Sequence, residues 1–133
     1  MLRRWDVLVA CAEMGNRNAL IRMLESMSVG VFSCSSLSQA KEVLSSRMIE
    51  LVFCDENLTD GSFYDLLRTK QVWIARPHIV VIAHFGEWER YEEASQLELF
   101  EVISSPLHPT DVELAVIRAM RDGVRESFFH VSA

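Results

Sequence analysis

The feature that most constrains this chain is a rhythm of short, unbroken apolar runs separated by stretches with helical spacing. Val7-Leu8-Val9-Ala10-Cys11 is the first such run, and a run without polar alternation reads as a strand covered on both faces. Asn16 to Met27 follows with Ala19, Leu20, Met23, Leu24 and Met27 on one helical face. Val29 to Phe32 is a second strand. Ser36 or Ser38 can cap a second helix whose inner face carries Ala40, Val43 and Leu44. Ile49 to Cys54 is a third strand, ended by Asp55, and Asn57-Leu58-Thr59-Asp60-Gly61 is a turn segment. Phe63, Leu66, Leu67 and Lys70 mark a short third helix, and His78 to Ala83 is a fourth strand. Gly86 to Leu97 reads as a charged helix and Glu101 to Ser104 as a weaker fifth strand stopped by Pro106 and Pro109. Thr110 or Asp111 is expected to cap a last helix that ends near Gly123.

Strands alternating with helices in this way demand a parallel sheet with helices on both faces. The length of 133 residues fits one domain, expected over residues 1–123, with 124–133 as a C-terminal tail. In such sheets ligands bind beyond the carboxyl ends of the strands. Asp55, at the carboxyl end of a buried strand, is therefore the candidate functional residue.

Several function classes lose support. No GxGxxG follows the first strand and no GxxxxGK[ST] occurs, so nothing cradles a nucleotide phosphate. The net charge of −6 offers no basic footprint for nucleic acid, the local Arg3-Arg4 pair and the Arg118, Arg121, Arg125 series aside. The longest apolar runs are far short of a membrane span, and Met1 to Arg4 is too brief for a secretory signal. Three cysteines, Cys11, Cys34 and Cys54, show no paired spacing, which fits a reducing, cytoplasmic compartment. They fall near strand ends, with His84 beyond the fourth strand. A Cys/His metal site or a hydrolytic α/β protein using Cys11 or Asp55 is the distant alternative.

The stretch from Leu51 to Ser62, with Asp55 at a strand end and Leu58-Thr59-Asp60-Gly61 leading into a helix, resembles the phosphoacceptor segment of bacterial response-regulator receiver domains. Thr59 stands where that family has proline. Ser105-Pro106-Leu107-His108-Pro109 is similar to the family's Lys-Pro-Phe-x-Pro, and the resemblance spans about Val7 to Arg121. It implies a flavodoxin-like sheet of order 2-1-3-4-5, a phosphoacceptor at Asp55 and a cis Ser105–Pro106 bond. It further implies a signalling module of two-component phosphorelay that works through partner proteins such as a sensor kinase, not an enzyme.

The same resemblance shows departures. The family's acidic pair, which holds Mg²⁺, falls on Cys11 and Ala12, with Glu13 the next residue; its hydroxyl residue falls on Ala83 and its lysine on Ser105. Its switch aromatic falls on Val102. Mg²⁺ wants oxygen ligands, and a thiol and a methyl group supply none. Only Glu13, Asp55 and Asn57, with Glu56 nearby, could hold a displaced ion, and a cofactor is expected only if phosphorylation is retained. The expectation is a pseudo-receiver acting by protein contact, with a functional phosphoacceptor at Asp55 as the competing reading. Trp88 and Tyr91, at i, i+3 spacing, either pack on the sheet or, with Val102, form a partner or homodimer surface. No output domain follows the last helix, so the chain is expected to be stand-alone or an excised module.

Overall fold

A computed structural model describes residues 5–84 and 101–132, with side chains described as far as 122. The chain runs β1 (Asp6–Ala10), α1 (Met14–Glu25), β2 (Gly30–Cys34), α2 (Leu37–Ser46) and β3 (Leu51–Asp55). A small hairpin follows, β4 (Asn57–Leu58) and β5 (Gly61–Ser62). Then come α3 (Phe63–Leu67), a 3₁₀ turn (Lys70–Val72), β6 (His78–Ala83), β7 (Glu101–Ser104) and α4 (Pro109–Ser132). The five longer strands form one parallel sheet of order β2-β1-β3-β6-β7, which is the expected flavodoxin-like 2-1-3-4-5 order.

The period-2 geometry of strands divides each apolar run between two cores. Val52 and Cys54 of β3 join Leu8, Ala10, Val81 and Ala83 under α2 and α3, where Ala40, Leu44, Phe63 and Leu66 close the layer. Leu51 and Phe53 face the other way, with Val7, Val9, Val80 and Ile82, against Leu20 and Leu24 of α1 and Val112, Ala115, Val116 and Ala119 of α4. Continuous apolar strands are thus what a sheet covered twice requires. Asp55 sits at the end of β3, the middle strand of the five.

Element ends shift where local chemistry differs from the apolar pattern. Helix α1 begins two residues earlier than the apolar spacing suggests because Glu13 is its N-cap. Strand β2 lies later, at Gly30–Cys34, in register with Asp6–Ala10 of β1. Ser36, not Ser38, caps α2. Helix α4 starts at Pro109, ahead of Thr110 and Asp111, since a missing N–H costs nothing in the first turn. It continues through Gly123 to Ser132 instead of ending there; one helical glycine costs only about 1 kcal/mol. The segment read as a plain turn folds into the β4–β5 hairpin, with Asn57 opposite Ser62 and Leu58 opposite Gly61. The Gly86–Leu97 helix, with Trp88 and Tyr91, lies outside the described residues. No helix among the described residues is long and apolar enough to cross a membrane.

Candidate functional site

The site lies where β1, β3 and β6 end. Asp55 is the last residue of β3, opposite Ile82 of β6. Its side chain is only 7 % exposed, while that of His84, just past β6, is 47 % exposed. His84 Nε2 lies 2.6 Å from Asp55 Oδ1. Toward an ionised carboxylate, which only accepts hydrogen bonds, the tautomer that carries its proton on Nε2 is the donor. The Glu56 amide donates to the same Oδ1 at 2.9 Å.

Glu56 completes the arrangement. It is buried, which is unusual for a glutamate, and such a group requires a partner. Its Oε1 accepts the His84 backbone N–H at 2.6 Å, and its carbonyl accepts the Phe63 N–H at 3.0 Å at the base of the β4–β5 hairpin. Two consecutive acidic residues at the end of β3 therefore hold one histidine by its ring and by its backbone. The hairpin is anchored in turn by Asp60, whose carboxylate accepts the Leu37 and Ser38 amides at the start of α2. Those bonds, the Leu37 amide first, hold the Asp60 carboxyl below its ordinary range. A Cβ at Gly61 would lie 2.8 Å from Leu37 Cδ2 and 2.9 Å from Asp65 Oδ2, so a side chain there requires both to shift.

The remaining positions are brought near this point but contribute different chemistry. Cys11 is fully buried at the end of β1. Its thiol is pushed up to about 12, chiefly by burial and then by the negative charge of Asp55. Ala12 offers a methyl group. Glu13 turns to the helix: its carboxylate accepts the Gly15 amide at 2.8 Å and the Asn16 amide at 2.6 Å. Those bonds, Asn16 foremost, hold its carboxyl below the usual range. Arg17 donates from Nη1 to the Cys11 carbonyl at 2.9 Å, placing a cation at the end of β1. Asn57 is exposed in β4. Ala83 is buried, and its carbonyl accepts the Ser105 N–H at 2.9 Å. Ser105 is half-buried, and the Ser105–Pro106 bond is cis, as the resemblance implied. Val102 is half-buried against the α2–α3 side of the core and lines a cavity with Glu101, Ser105 and His108.

These residues do not fit Mg²⁺. The ion wants several oxygens in octahedral geometry, and Glu13 is committed to the helix while Asp55 is engaged by His84. No group of three or more His, Cys, Asp or Glu among the described residues is arranged to hold a metal. The same applies to a soft metal. Cys34 and Cys54 lie on the α2–α3 side of the sheet and Cys11 on the other. Burial pushes the Cys34 thiol up to about 11 and the Cys54 thiol well above its ordinary value, so all three stay protonated at neutral pH.

Sequence reasoning found Asp55 and the positions around it but read His84 only as a companion of the cysteines. The pairing of residues 29 apart has no local spacing to betray it. The one signal available was the doubled acid Asp55-Glu56 at the end of an apolar strand, since a second acid so placed must be buried and partnered.

No family model matches this sequence, and no curated protein is similar enough in sequence to match it. Solved structures do match. The receiver domain of an HD domain-containing protein from Pseudomonas fluorescens Pf-5 superposes with a TM-score of 0.83 at 19 % identity, covering 96 % of this chain and 94 % of that one. The receiver domain of AraT, a response regulator from Geobacillus stearothermophilus, gives 0.83 at 18 % identity over 94 % and 99 % of the two chains. A CheY-like receiver domain protein from Methanospirillum hungatei JF-1 gives 0.83 at 13 % identity over 93 % and 99 %. The fold is that of response-regulator receiver domains, over nearly the whole chain.

Proposed function

We propose that this chain is a receiver-like signalling module of two-component phosphorelay that acts through contacts with partner proteins, without phosphoryl transfer to Asp55. The observation that carries this reading is the state of Asp55: nearly buried, with Oδ1 engaged by His84 at 2.6 Å and by the Glu56 amide at 2.9 Å.

The chemistry of the surrounding positions supports the same reading. Attack of a carboxylate on a phosphoryl donor brings negative charges together, so positive charge must be supplied in the transition state. Cys11, Ala12 and Ser105 supply none, and Ala83 has no hydroxyl to bind the transferred group. Each missing electrostatic contact of this kind is worth about 3–4 kcal/mol, so losing several slows transfer by orders of magnitude. Arg17 brings a cation to the end of β1, but it is directed at backbone carbonyls.

The partners this reading implies are a sensor kinase or another signalling protein, or a second copy of the chain. Among the described residues, half-buried Val102 of β7 is the candidate contact. Incubation with acetyl phosphate and Mg²⁺, followed by intact mass, tests the proposal. Unchanged mass is expected. A phosphoryl adduct that Asp55→Asn abolishes restores Asp55 as a phosphoacceptor.

A further inference from the structure

We infer that His84 is a built-in cover for Asp55, and that Glu56 is the residue that positions it. This deepens the reading of Asp55 as the site residue and rests on it, but the cover concerns access to the carboxylate, which can be measured without any phosphoryl donor.

Three observations converge on the cover. The imidazole is the outermost group of the set: its side chain is 47 % exposed, whereas that of Asp55 beneath is 7 % exposed. Its contact is made at Nε2, the edge of the ring far from the backbone, so the ring extends over the strand end to reach the carboxylate. The backbone of the same residue is held independently, by the Glu56 Oε1 bond of 2.6 Å to the His84 N–H. A half-exposed side chain on a loop ordinarily samples several rotamers. Pinning its own amide to a buried carboxylate fixes Cα and Cβ, and only the ring torsions remain to be set by Asp55.

Glu56 is itself held on the backbone side, where its carbonyl accepts the Phe63 amide at 3.0 Å. The hairpin, Glu56, His84 and Asp55 thus form one connected set. A polar residue placed over a buried carboxylate serves two ends. It adds a second donor to a buried carboxylate oxygen that otherwise has the Glu56 amide, and it keeps cations and electrophiles from approaching on the side the ring occupies.

Asp55 is therefore withheld by a specific contact, over and above the lack of metal ligands at Cys11 and Ala12. Glu56 is a positioning residue: it acts on Asp55 through His84.

The test is carboxyl labelling of the full chain with a water-soluble carbodiimide and glycinamide at neutral pH. Peptide fragmentation separates Asp55 from Glu56, with exposed Glu113 as the internal reference. In the wild-type chain Asp55 is expected to be labelled far less than Glu113. His84→Ala is expected to raise the Asp55 to Glu113 ratio by about tenfold, the protection a charge-assisted hydrogen bond gives. Glu56→Ala is expected to raise it similarly. Glu56→Gln keeps an acceptor oxygen for the His84 amide and is expected to stay at the wild-type ratio, a rescue that a merely space-filling role would not separate from loss. Circular dichroism checks that each variant is folded, and His84→Ser replaces His84→Ala if that variant is not. An unchanged ratio in the His84 variant overturns the cover, and an unchanged ratio in Glu56→Ala overturns the positioning role. Both ratios are read whether or not the wild-type chain accepts phosphate.

Discussion

A double-mutant cycle on Asp55 and His84 measures the contact at the centre of the site. A hydrogen bond to a charged group contributes about 1.5–3 kcal/mol, and the half-exposed imidazole places this one toward the low end, because water competes for Nε2–H. The two single variants should not be symmetric. His84→Ala leaves a buried carboxylate with the Glu56 amide as its remaining partner at Oδ1, so it should cost about 1–2 kcal/mol. Asp55→Ala leaves an imidazole that can turn to water, and it removes a carboxylate from beside Glu56, so it should cost less than His84→Ala. In the Asp55→Ala background, His84→Ala should then cost almost nothing, giving a coupling of about 1–2 kcal/mol. Urea unfolding followed by tryptophan fluorescence reads all four proteins, with nearly buried Trp73 as a reporter and a constant slope as the check on two-state behaviour. A coupling below about 0.5 kcal/mol, the usual additivity of independent sites, would refute the contact.

Four other outcomes are expected. At pH 8 without denaturant, none of the three buried thiols should react with a thiol reagent such as dithionitrobenzoate, and all three should react in denaturant; a fast-reacting cysteine in the native chain would contradict their burial. Cys11 is raised from 9.0 to about 12 in the fold, so its contribution is fully present below pH 9 and is lost as pH rises toward 12, which Cys11→Ala should soften in an alkaline melt series. Glu13 and Asp60 are depressed, so their contributions are present above their ordinary carboxylate range and lost as pH falls through the lower folded values; Glu13→Gln and Asp60→Asn should each flatten the acid limb of Tm against pH. Gly61→Ala should destabilise by about 1–3 kcal/mol, because its Cβ meets Leu37 and Asp65, and Asp65 is already engaged with Ser62 in a capping box; a neutral effect in chemical denaturation would show that both side chains move aside.

The parts of the fold that were legible are those written in unbroken apolar runs. His78–Ala83 has the expected bounds because burial on two faces makes its interior continuously apolar, and the partly buried edge strand Glu101–Ser104 has its expected bounds because Pro106 stops it. What was not legible depends on side chains that satisfy backbone groups. Glu13 has the composition of a metal ligand and the position of a helix cap, and only the fold shows the cap. The β4–β5 hairpin has strands of two residues, too short to carry an alternation. Asp55 itself was legible from its strand and loop. The histidine on it was not, because a contact across 29 residues depends on how β3 and β6 are placed side by side.

The central claim is that Asp55 is held by His84 and is not available to a phosphoryl group. A crystal soaked with Mg²⁺ and beryllium fluoride tests it most directly. His84 Nε2 is expected to remain on Asp55 Oδ1, with neither a metal nor a fluoroberyllate at the carboxylate. A fluoroberyllate bonded to Asp55, with the imidazole swung away and Mg²⁺ beside it, would contradict it.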